Sequence, residues 1–216
     1  MKVAYFPLFI ELSGTAALLI GGGKTALGKA RRLGNYGLTL HAIAPDILPE
    51  LEALPYVETT HRSFLPGDLD AEYVFVIAAT DSRDVNHLVS QLCREKKIPV
   101  NVVDTPEDCS FLFPALVQQG PLCIGISTGG ASPTGARRLK DTVSRILPSN
   151  IGDILSWLEA VRPGIKARIP SESQRKTVFD LLYSRCVSLN RPLTEPELEE
   201  LLEEAAGPAD RLYEHR

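Results

Sequence analysis

The fold is decided by the stretch AALLIGGGKTA, residues 16–26. Five apolar residues run directly into the pattern G-x-G-x-x-A, in which Gly21, Gly23 and Ala26 fill the defined positions. Gly21 permits a tight turn, Gly23 lets backbone N–H groups approach a pyrophosphate, and Ala26 lets the next helix pack close to the strand. The positive end of that helix attracts phosphate groups. The stretch therefore predicts a strand, a loop and a helix that bind a dinucleotide.

Short apolar runs alternate with helical patterns over the first hundred residues. Val85, Leu88, Val89 and Leu92 form one apolar stripe of a helix. The candidate strands are Ala16–Ile20, Leu38–Ile43, Tyr73–Ala78 and Pro99–Val103, with a weaker one at Val57–Thr60. Strands that alternate with helices indicate an α/β fold with a Rossmann-like parallel sheet.

The pattern changes after this region. Two further strands are predicted at 111–117 and 122–127, and Ser132-Pro133 predicts the start of a helix that ends near Pro148. Beyond Ser149 only helical patterns occur, with one helix ending at Pro163 and a capping box at Thr194 and Glu197. We therefore expect a Rossmann domain over 1–113, a small separate segment over 114–150 and a helical domain over 151–216.

Composition and charge exclude several classes of protein. Of 216 residues, 44% are hydrophobic and 23% charged, as in ordinary globular chains. No apolar run reaches the roughly 18 residues that a membrane helix needs, so we expect a cytoplasmic protein without a membrane partner. The net charge of −4 disfavours nucleic acid. The four cysteines and four histidines show no metal-ligand spacing, so no metal site is predicted.

The residue that would bind the adenosine ribose is less sharply defined. His41 stands twenty residues after Gly21, and the nearest acid is Asp46. No arginine lies in that turn to hold a 2′-phosphate, which favours NAD over NADP. Lys24 does not indicate a P-loop, because the spacing G-x-x-x-x-G-K-[ST] is absent. The predicted cofactor-binding residues are Gly21, Gly23, Lys24, Thr25, Ala26, Pro45, Asp46, Ala79, Thr80 and Asp81.

Two acids follow predicted parallel strands, where ligands of open α/β sheets bind. Asp104 comes after an apolar strand and before Thr105-Pro106, so it is either a catalytic carboxylate or a residue that caps a turn. Asp81 is either a cofactor contact or the N-cap of the helix that begins near Arg83.

Five stretches together resemble the dehydrogenase and ferrochelatase module of the siroheme synthases, a family that includes stand-alone precorrin-2 dehydrogenases. The stretches are PLFIELSG (7–14), GGGKTALGKARRL (21–33), VIAATDSRDVN (76–86), IPVNVVDTPEDCSFLFPA (98–115) and GPLCIGISTGGASPTGARRL (120–139). The resemblance implies NAD-dependent oxidation of precorrin-2 to sirohydrochlorin, and in bifunctional members insertion of ferrous iron, which enters as a substrate. It also implies a homodimer, with residues 114–150 as the small dimerisation segment. The family's N-V-V-D motif places its catalytic aspartate on Asp104.

A substrate with eight carboxylates needs hydrogen-bond donors and positive charge. Residues 114–150 carry four basic residues against Asp141 alone. We expect the substrate to bind Ser127, Thr128, Gly129, Gly130, Arg137 and Arg138. The alternative is that the glycines shape a dimer junction and the arginines face water. Some relatives carry a regulatory phosphorylation serine where this chain has Thr128, so that regulation is not implied here.

The sequence leaves three functions open. The chain is either bifunctional or a dehydrogenase without chelatase activity, since some relatives pass sirohydrochlorin to a separate chelatase. A third possibility is a non-catalytic NAD-sensing module, because Rossmann domains also occur in regulators. A sensor would bind the cofactor but would not need a site for a large anion.

Overall fold

The structure, a computed structural model, describes residues 5–206. The chain divides into two compact units, Met1–Phe113 and Pro114–Arg216. The segments 114–150 and 151–216 fall within the same second unit. Along the described residues 5–206, no helix is long and apolar enough to cross a membrane.

The first unit contains a five-stranded parallel sheet with the strand order β3-β2-β1-β4-β5. The strands are β1 (Ala16–Ile20), β2 (Thr39–Ala44), β3 (Val57–His61), β4 (Val76–Ala78) and β5 (Val100–Val102). The helices are α1 (Lys24–Arg31), α2 (Pro49–Glu52) and α3 (Arg83–Glu95). The predicted Rossmann-like sheet is therefore confirmed. The chain moves from β1 outward through β2 to β3 and then returns to β4 beside β1, so the order reverses between β1 and β4.

Both faces of this sheet are buried. Alternate side chains of β1 enter two separate apolar clusters: Ala17 and Leu19 pack in one, and Leu18 and Ile20 in the other. Helices α1 and α2 contribute to the first cluster and α3 to the second. Because successive side chains of a strand point to opposite faces, the helices cover both sides of the sheet.

The second unit begins with a two-stranded antiparallel hairpin and continues as helices. Its elements are β6 (Ala115–Gln119), β7 (Leu122–Ile126), α4 (Pro133–Ile146), α5 (Ile151–Arg168), α6 (Glu172–Leu189) and α7 (Glu195–Ala206). Gly120 has a φ of 56°, which a two-residue hairpin loop with glycine in its first central position requires. A Cβ atom on Gly120 would lie 3.0 Å from the Cα of Gly152, so hairpin and α5 approach closely here.

The predicted end of α5 at Pro163 is wrong, because the helix continues to Arg168. Proline removes one backbone donor, but the following turn buries Ile165 in the apolar cluster of α5, α6 and α7. This burial outweighs the local preference to stop. The capping box at the start of α7 is confirmed, since the backbone N–H of Thr194 donates to Glu197 Oε2 at 2.8 Å.

Candidate functional site

The glycine loop after β1 packs directly against the end of β4. Gly21 has a φ of 127°, and a Cβ atom there would lie 2.3 Å from the carbonyl oxygen of Ala79. A side chain at this position is therefore excluded both by conformation and by space. The contact joins the carboxyl ends of β1 and β4, the two strands between which the strand order reverses. Open α/β sheets bind their ligands at this position.

Gly22, which the motif leaves as an unspecified position, is as tightly constrained. A Cβ atom on Gly22 would lie 2.1 Å from the carbonyl oxygen of Asp46 and 2.7 Å from the Cα of Ile47. The backbone N–H of Leu48 also donates to the carbonyl oxygen of Gly22 at 3.0 Å. The turn after β2 therefore rests on the glycine loop. The three consecutive glycines are the only local signal for this contact, because Asp46 and Ile47 lie more than twenty residues further along the chain.

Gly23 and the start of α1 have the open geometry that a pyrophosphate needs. No atom lies within 4 Å of a Cβ built on Gly23, and the residue is exposed. Gly23 is the N-cap of α1, no side chain caps the helix, and the first turn contains no acid. Lys24 and Thr25 are exposed, whereas Ala26 is fully buried against the sheet. The residues present therefore fit the phosphates of a dinucleotide bound at a helix N-terminus.

Asp46 is exposed, whereas the His41 imidazole is held by two partners. His41 lies on β2, where Nδ1 is 3.0 Å from the Tyr73 hydroxyl and Nε2 is 3.3 Å from Glu58 Oε2. Asp46 is exposed in the turn that packs on Gly22. The structure thus brings Pro45 and Asp46 beside the glycine loop.

The loop after β4 is held by a buried asparagine that the sequence did not single out. Asn86 is 5% exposed, and its Oδ1 accepts hydrogen bonds from the backbone N–H of Thr80 at 3.2 Å and from the Thr80 hydroxyl at 2.8 Å. Its Nδ2 donates to the Thr80 carbonyl at 3.0 Å. The N-cap of α3 is Ser82, whose hydroxyl accepts from Val85 N–H, so Asp81 does not cap this helix. Asp81 is exposed beside this loop.

Asp104 lies just beyond the neighbouring strand end in a left-handed conformation. The backbone N–H of Val103 donates to the Ala78 carbonyl at 3.0 Å, which places the following residue beside the end of β4. Asp104 is exposed and has a φ of 59°, a region that few residues other than glycine, asparagine and aspartate adopt. Such backbone strain often accompanies function. The far side of the loop is anchored by Asp108, whose carboxylate is 3.0 Å from His87 Nδ1.

Lys29 on α1 supplies a positive charge near Asp104. Its ammonium group donates to Asn101 Oδ1 at 2.9 Å and lies 4.6 Å from the centre of the Phe113 ring. Burial lowers the pKa of Lys29, and the Arg32 guanidinium lowers it further, whereas the negative charge of Asp104 acts in the opposite direction. Asn101 is 4% exposed and donates to the Phe111 carbonyl at 3.0 Å. Sequence periodicity gave no reason to connect Lys29 with the aspartate.

The predicted substrate-binding residues lie in the second unit, where a compact loop precedes α4. Gly129 and Gly130 have φ values of 61° and 85°. The Thr128 hydroxyl donates to the Ser132 carbonyl and accepts from the Ser132 N–H, both at 3.1 Å. Ser132 caps α4 by accepting from Gly135 N–H at 2.9 Å, as predicted from Ser132-Pro133.

Much of the donor capacity of this loop is therefore used inside the loop. The Gly129 N–H also donates to the Ser127 hydroxyl at 3.2 Å. Arg137 and Arg138 follow on α4 and are exposed. Within residues 5–206 no group of three or more histidine, cysteine, aspartate or glutamate side chains could hold a metal ion.

Two protein families match separate parts of this chain. Residues 8–115 match the family described as NAD(P)-binding, and residues 119–145 match the family described as sirohaem biosynthesis protein central. The chain belongs to the NAD(P)-binding siroheme-biosynthesis family. The first match includes every predicted cofactor-binding residue and Asp104, and the second includes Ser127–Gly130 with Arg137 and Arg138.

Several full-length members of the siroheme-biosynthesis family are similar to this chain. The siroheme synthase of Thioalkalivibrio sulfidiphilus is 39% identical over 194 residues, which cover 88% of this chain and 38% of that protein. The siroheme synthase of Azotobacter vinelandii is 37% identical over 213 residues, covering 96% of this chain and 46% of that protein. The chain thus spans less than half the length of these relatives. A solved structure of SirC, a precorrin-2 dehydrogenase, has a TM-score of 0.71 at 23% identity and covers 93% of this chain and 98% of its own, so the two share a fold.

Proposed function

We propose that this chain oxidises precorrin-2 to sirohydrochlorin with NAD, as a step of siroheme biosynthesis. The observation that carries the proposal is the meeting of four strand ends at one sheet edge. Gly21 packs on Ala79, Gly22 packs on Asp46, and Val103 bonds to Ala78 just before Asp104. The similarity to siroheme synthases supports the choice of substrate.

The residues around the glycine loop would hold the cofactor. The open N-terminus of α1 at Gly23, Lys24 and Thr25 suits the pyrophosphate, and Asp46 suits the ribose hydroxyls. Pro45, Ala79, Thr80 and Asp81 complete the proposed cofactor-binding set. When bound, NAD supplies the oxidant by accepting a hydride. The turn that contains Asp46 includes no arginine, which supports NAD over NADP.

Asp104 is the proposed catalytic base. Removing two electrons as a hydride leaves one proton to be released from the macrocycle, and an exposed carboxylate at the strand end can accept it. The Lys29 ammonium, which donates to Asn101 Oδ1, attracts this carboxylate electrostatically. The overall change is therefore one hydride and one proton lost from precorrin-2.

Arg137 and Arg138 are the proposed partners of the substrate carboxylates, because guanidinium groups bind carboxylates in paired hydrogen bonds. Ser127, Thr128, Gly129 and Gly130 are proposed to shape this site, with Thr128 acting mainly through its bonds to Ser132. We keep the assignment of 1–113 to the cofactor, 114–150 to dimerisation and 151–216 to a helical domain.

We also propose a homodimer formed through α4. Leu139 and Ile146 lie on one face of this helix, and they are 52% and 76% exposed in the single chain. A second copy would remove both side chains from water, which the hydrophobic effect favours. The proposed ligands are tetrapyrroles, and neither nucleic acid nor a membrane is a proposed partner. The proposed location of the protein is the cytoplasm.

Insertion of ferrous iron into sirohydrochlorin is a second candidate activity, supported by the relatives named siroheme synthase. The iron would be a substrate, and the four pyrrole nitrogens of the tetrapyrrole would be its ligands. Asp104 would then accept protons that the pyrroles release.

An anaerobic assay tests both activities in sequence. The purified chain is mixed with freshly prepared precorrin-2 and NAD, and NADH and sirohydrochlorin are followed by absorbance; NADP replaces NAD in a parallel sample. We expect both products to form faster with NAD. Ferrous iron is then added, and siroheme formation faster than in a protein-free control would establish the chelatase. If the chain binds NAD but forms no NADH, the proposed dehydrogenase activity is rejected in favour of an NAD-sensing module.

A further inference from the structure

A basic cleft lies between the end of α5 and the start of α6, at a distance in sequence from every residue assigned above. Its volume is about 840 Å³, within the range of small-molecule sites. The cleft is lined by Arg162 and Lys166 from α5, by Arg175 and Lys176 from α6, and by Glu172 and Phe179. We call it the α5–α6 cleft.

Four cations and one carboxylate line the cleft, so its net charge is positive. Elsewhere in the helical part, Arg168 pairs with Glu199 at 2.6 Å and Arg191 with Glu197 at 2.7 Å. Among residues 5–206, no carboxylate lies within salt-bridge distance of Arg162 or Lys166. These two cations are four residues apart on one helix, where like charges repel. A bound anion would relieve that repulsion.

Two cleft residues are already positioned by contacts within the fold. The Arg162 guanidinium lies 4.9 Å from the centre of the Phe179 ring, a cation–π arrangement. Arg175 Nη1 donates to the carbonyl oxygens of Ile169 and Pro170 at 2.8 and 2.5 Å. These contacts reduce the side-chain entropy that ligand binding would otherwise have to offset.

The distribution of charge favours several separate carboxylates over one compact phosphate. Arg162 and Lys166 are separated by about one turn, a rise of about 6 Å, and the remaining cations lie on the other helix. A single phosphate binds best where donors converge on one point, and the Ser171 hydroxyl already caps the first turn of α6. Carboxylates spread over one rigid scaffold match this spacing, and the Phe179 ring supplies apolar surface.

We propose that the α5–α6 cleft binds the carboxylate arms of a tetrapyrrole, as a docking site that uses none of Asp104, Arg137 and Arg138. The identity of the polycarboxylate rests on the proposed function, whereas the cleft itself rests on its own geometry and charge. Such a site would hold the substrate or the product on the helical part of the chain.

The test compares two charge reversals on the full chain. Lys166→Glu changes the cleft, and Arg185→Glu, an exposed cation on α6 outside the cleft lining, makes the same change of charge elsewhere. The probe is uroporphyrin III, an octacarboxylate tetrapyrrole, titrated by calorimetry at low and moderate salt. We expect the wild type to bind two molecules per chain and Lys166→Glu to weaken one of these sites on the order of tenfold. Arg185→Glu should behave like the wild type.

Two results would overturn the proposal. One is equal binding of the probe by both variants and the wild type. The other is equally strong competition by inorganic pyrophosphate for the site that Lys166→Glu weakens, which would make the cleft a phosphate site. The precorrin-2 assay is run on the same samples. If Lys166→Glu loses the cleft site and the wild type forms no NADH, the docking site is supported and the proposed function is rejected.

Discussion

Alanine substitutions of two neighbouring glycines should have different effects. Gly22→Ala should lower the stability of the fold, and Gly23→Ala should mainly weaken NAD binding. In Gly22→Ala, the new methyl group would lie 2.1 Å from the Asp46 carbonyl oxygen and 2.7 Å from the Ile47 Cα, and both belong to the backbone. Ordinary contact requires about 3.4 Å or more, so the two loops must separate by roughly 1 Å. Overpacking of this kind costs about 1–3 kcal/mol. The equilibrium constant for unfolding should therefore rise by roughly 5- to 160-fold.

Gly23→Ala is the matched control, because a Cβ atom there meets nothing within 4 Å. Alanine is a poorer N-cap than glycine, so we expect a loss of only about 0.5–1 kcal/mol in the free energy of unfolding. The methyl group would instead enter the space assigned to the pyrophosphate. We expect the affinity for NAD to fall at least about tenfold, or about 1.4 kcal/mol.

Urea denaturation followed by circular dichroism measures the first effect, and calorimetric titration with NAD measures the second. Unchanged stability of Gly22→Ala would refute the contact between the glycine loop and the turn after β2. Unchanged NAD affinity of Gly23→Ala would refute the placement of the pyrophosphate at the start of α1.

Three further outcomes are expected. Asn86→Ala should lower the free energy of unfolding by about 1–3 kcal/mol in urea denaturation, because the partly buried Thr80 N–H loses its acceptor; Asn35→Ala, at an exposed position, should change it little. Ile146→Asp should convert the proposed dimer to a monomer in sedimentation velocity, and a dimer of unchanged stability would show that α4 is not the interface. Burial raises the pKa of Cys93 to about 11, and the thiolate is the reacting form, so at pH 8.5 native Cys93 should react with iodoacetamide more than about tenfold slower than in urea, as measured by peptide mass spectrometry.

The sheet could be predicted because its signals are local. An apolar run followed by three glycines can hardly form anything but a buried strand and a tight loop, and β1 begins and ends at the predicted residues, Ala16 and Ile20. The hairpin after Phe113 was also predictable, although its first strand begins at Ala115 and not at residue 111. Phe111 instead packs with Phe75 and Phe113 in the apolar cluster beneath α1, which no local pattern could indicate.

The parts of the site that the sequence did not reveal depend on hydrogen-bond and packing partners that the local pattern does not identify. Asn86 accepts a hydrogen bond from the Thr80 hydroxyl across the loop after β4. Lys29 on α1 donates to Asn101 on β5, far along the chain. Gly22 is required by the turn after β2. The continuation of α5 through Pro163 follows from burial of Ile165. In each case tertiary contacts override or add to what the local residues prefer.

The most direct measurement of the central claim is the rate of NADH formation from precorrin-2 by the wild type and by Asp104→Asn. Asparagine tolerates the left-handed conformation that Asp104 adopts at φ 59°, so this variant removes the charge while retaining the loop, whereas alanine would also strain the backbone. Loss of a general base reduces rates by about 10²–10⁴-fold. We predict a loss of this size in kcat with unchanged NAD affinity. A variant that forms NADH at the wild-type rate would contradict the assignment of Asp104 as the catalytic base.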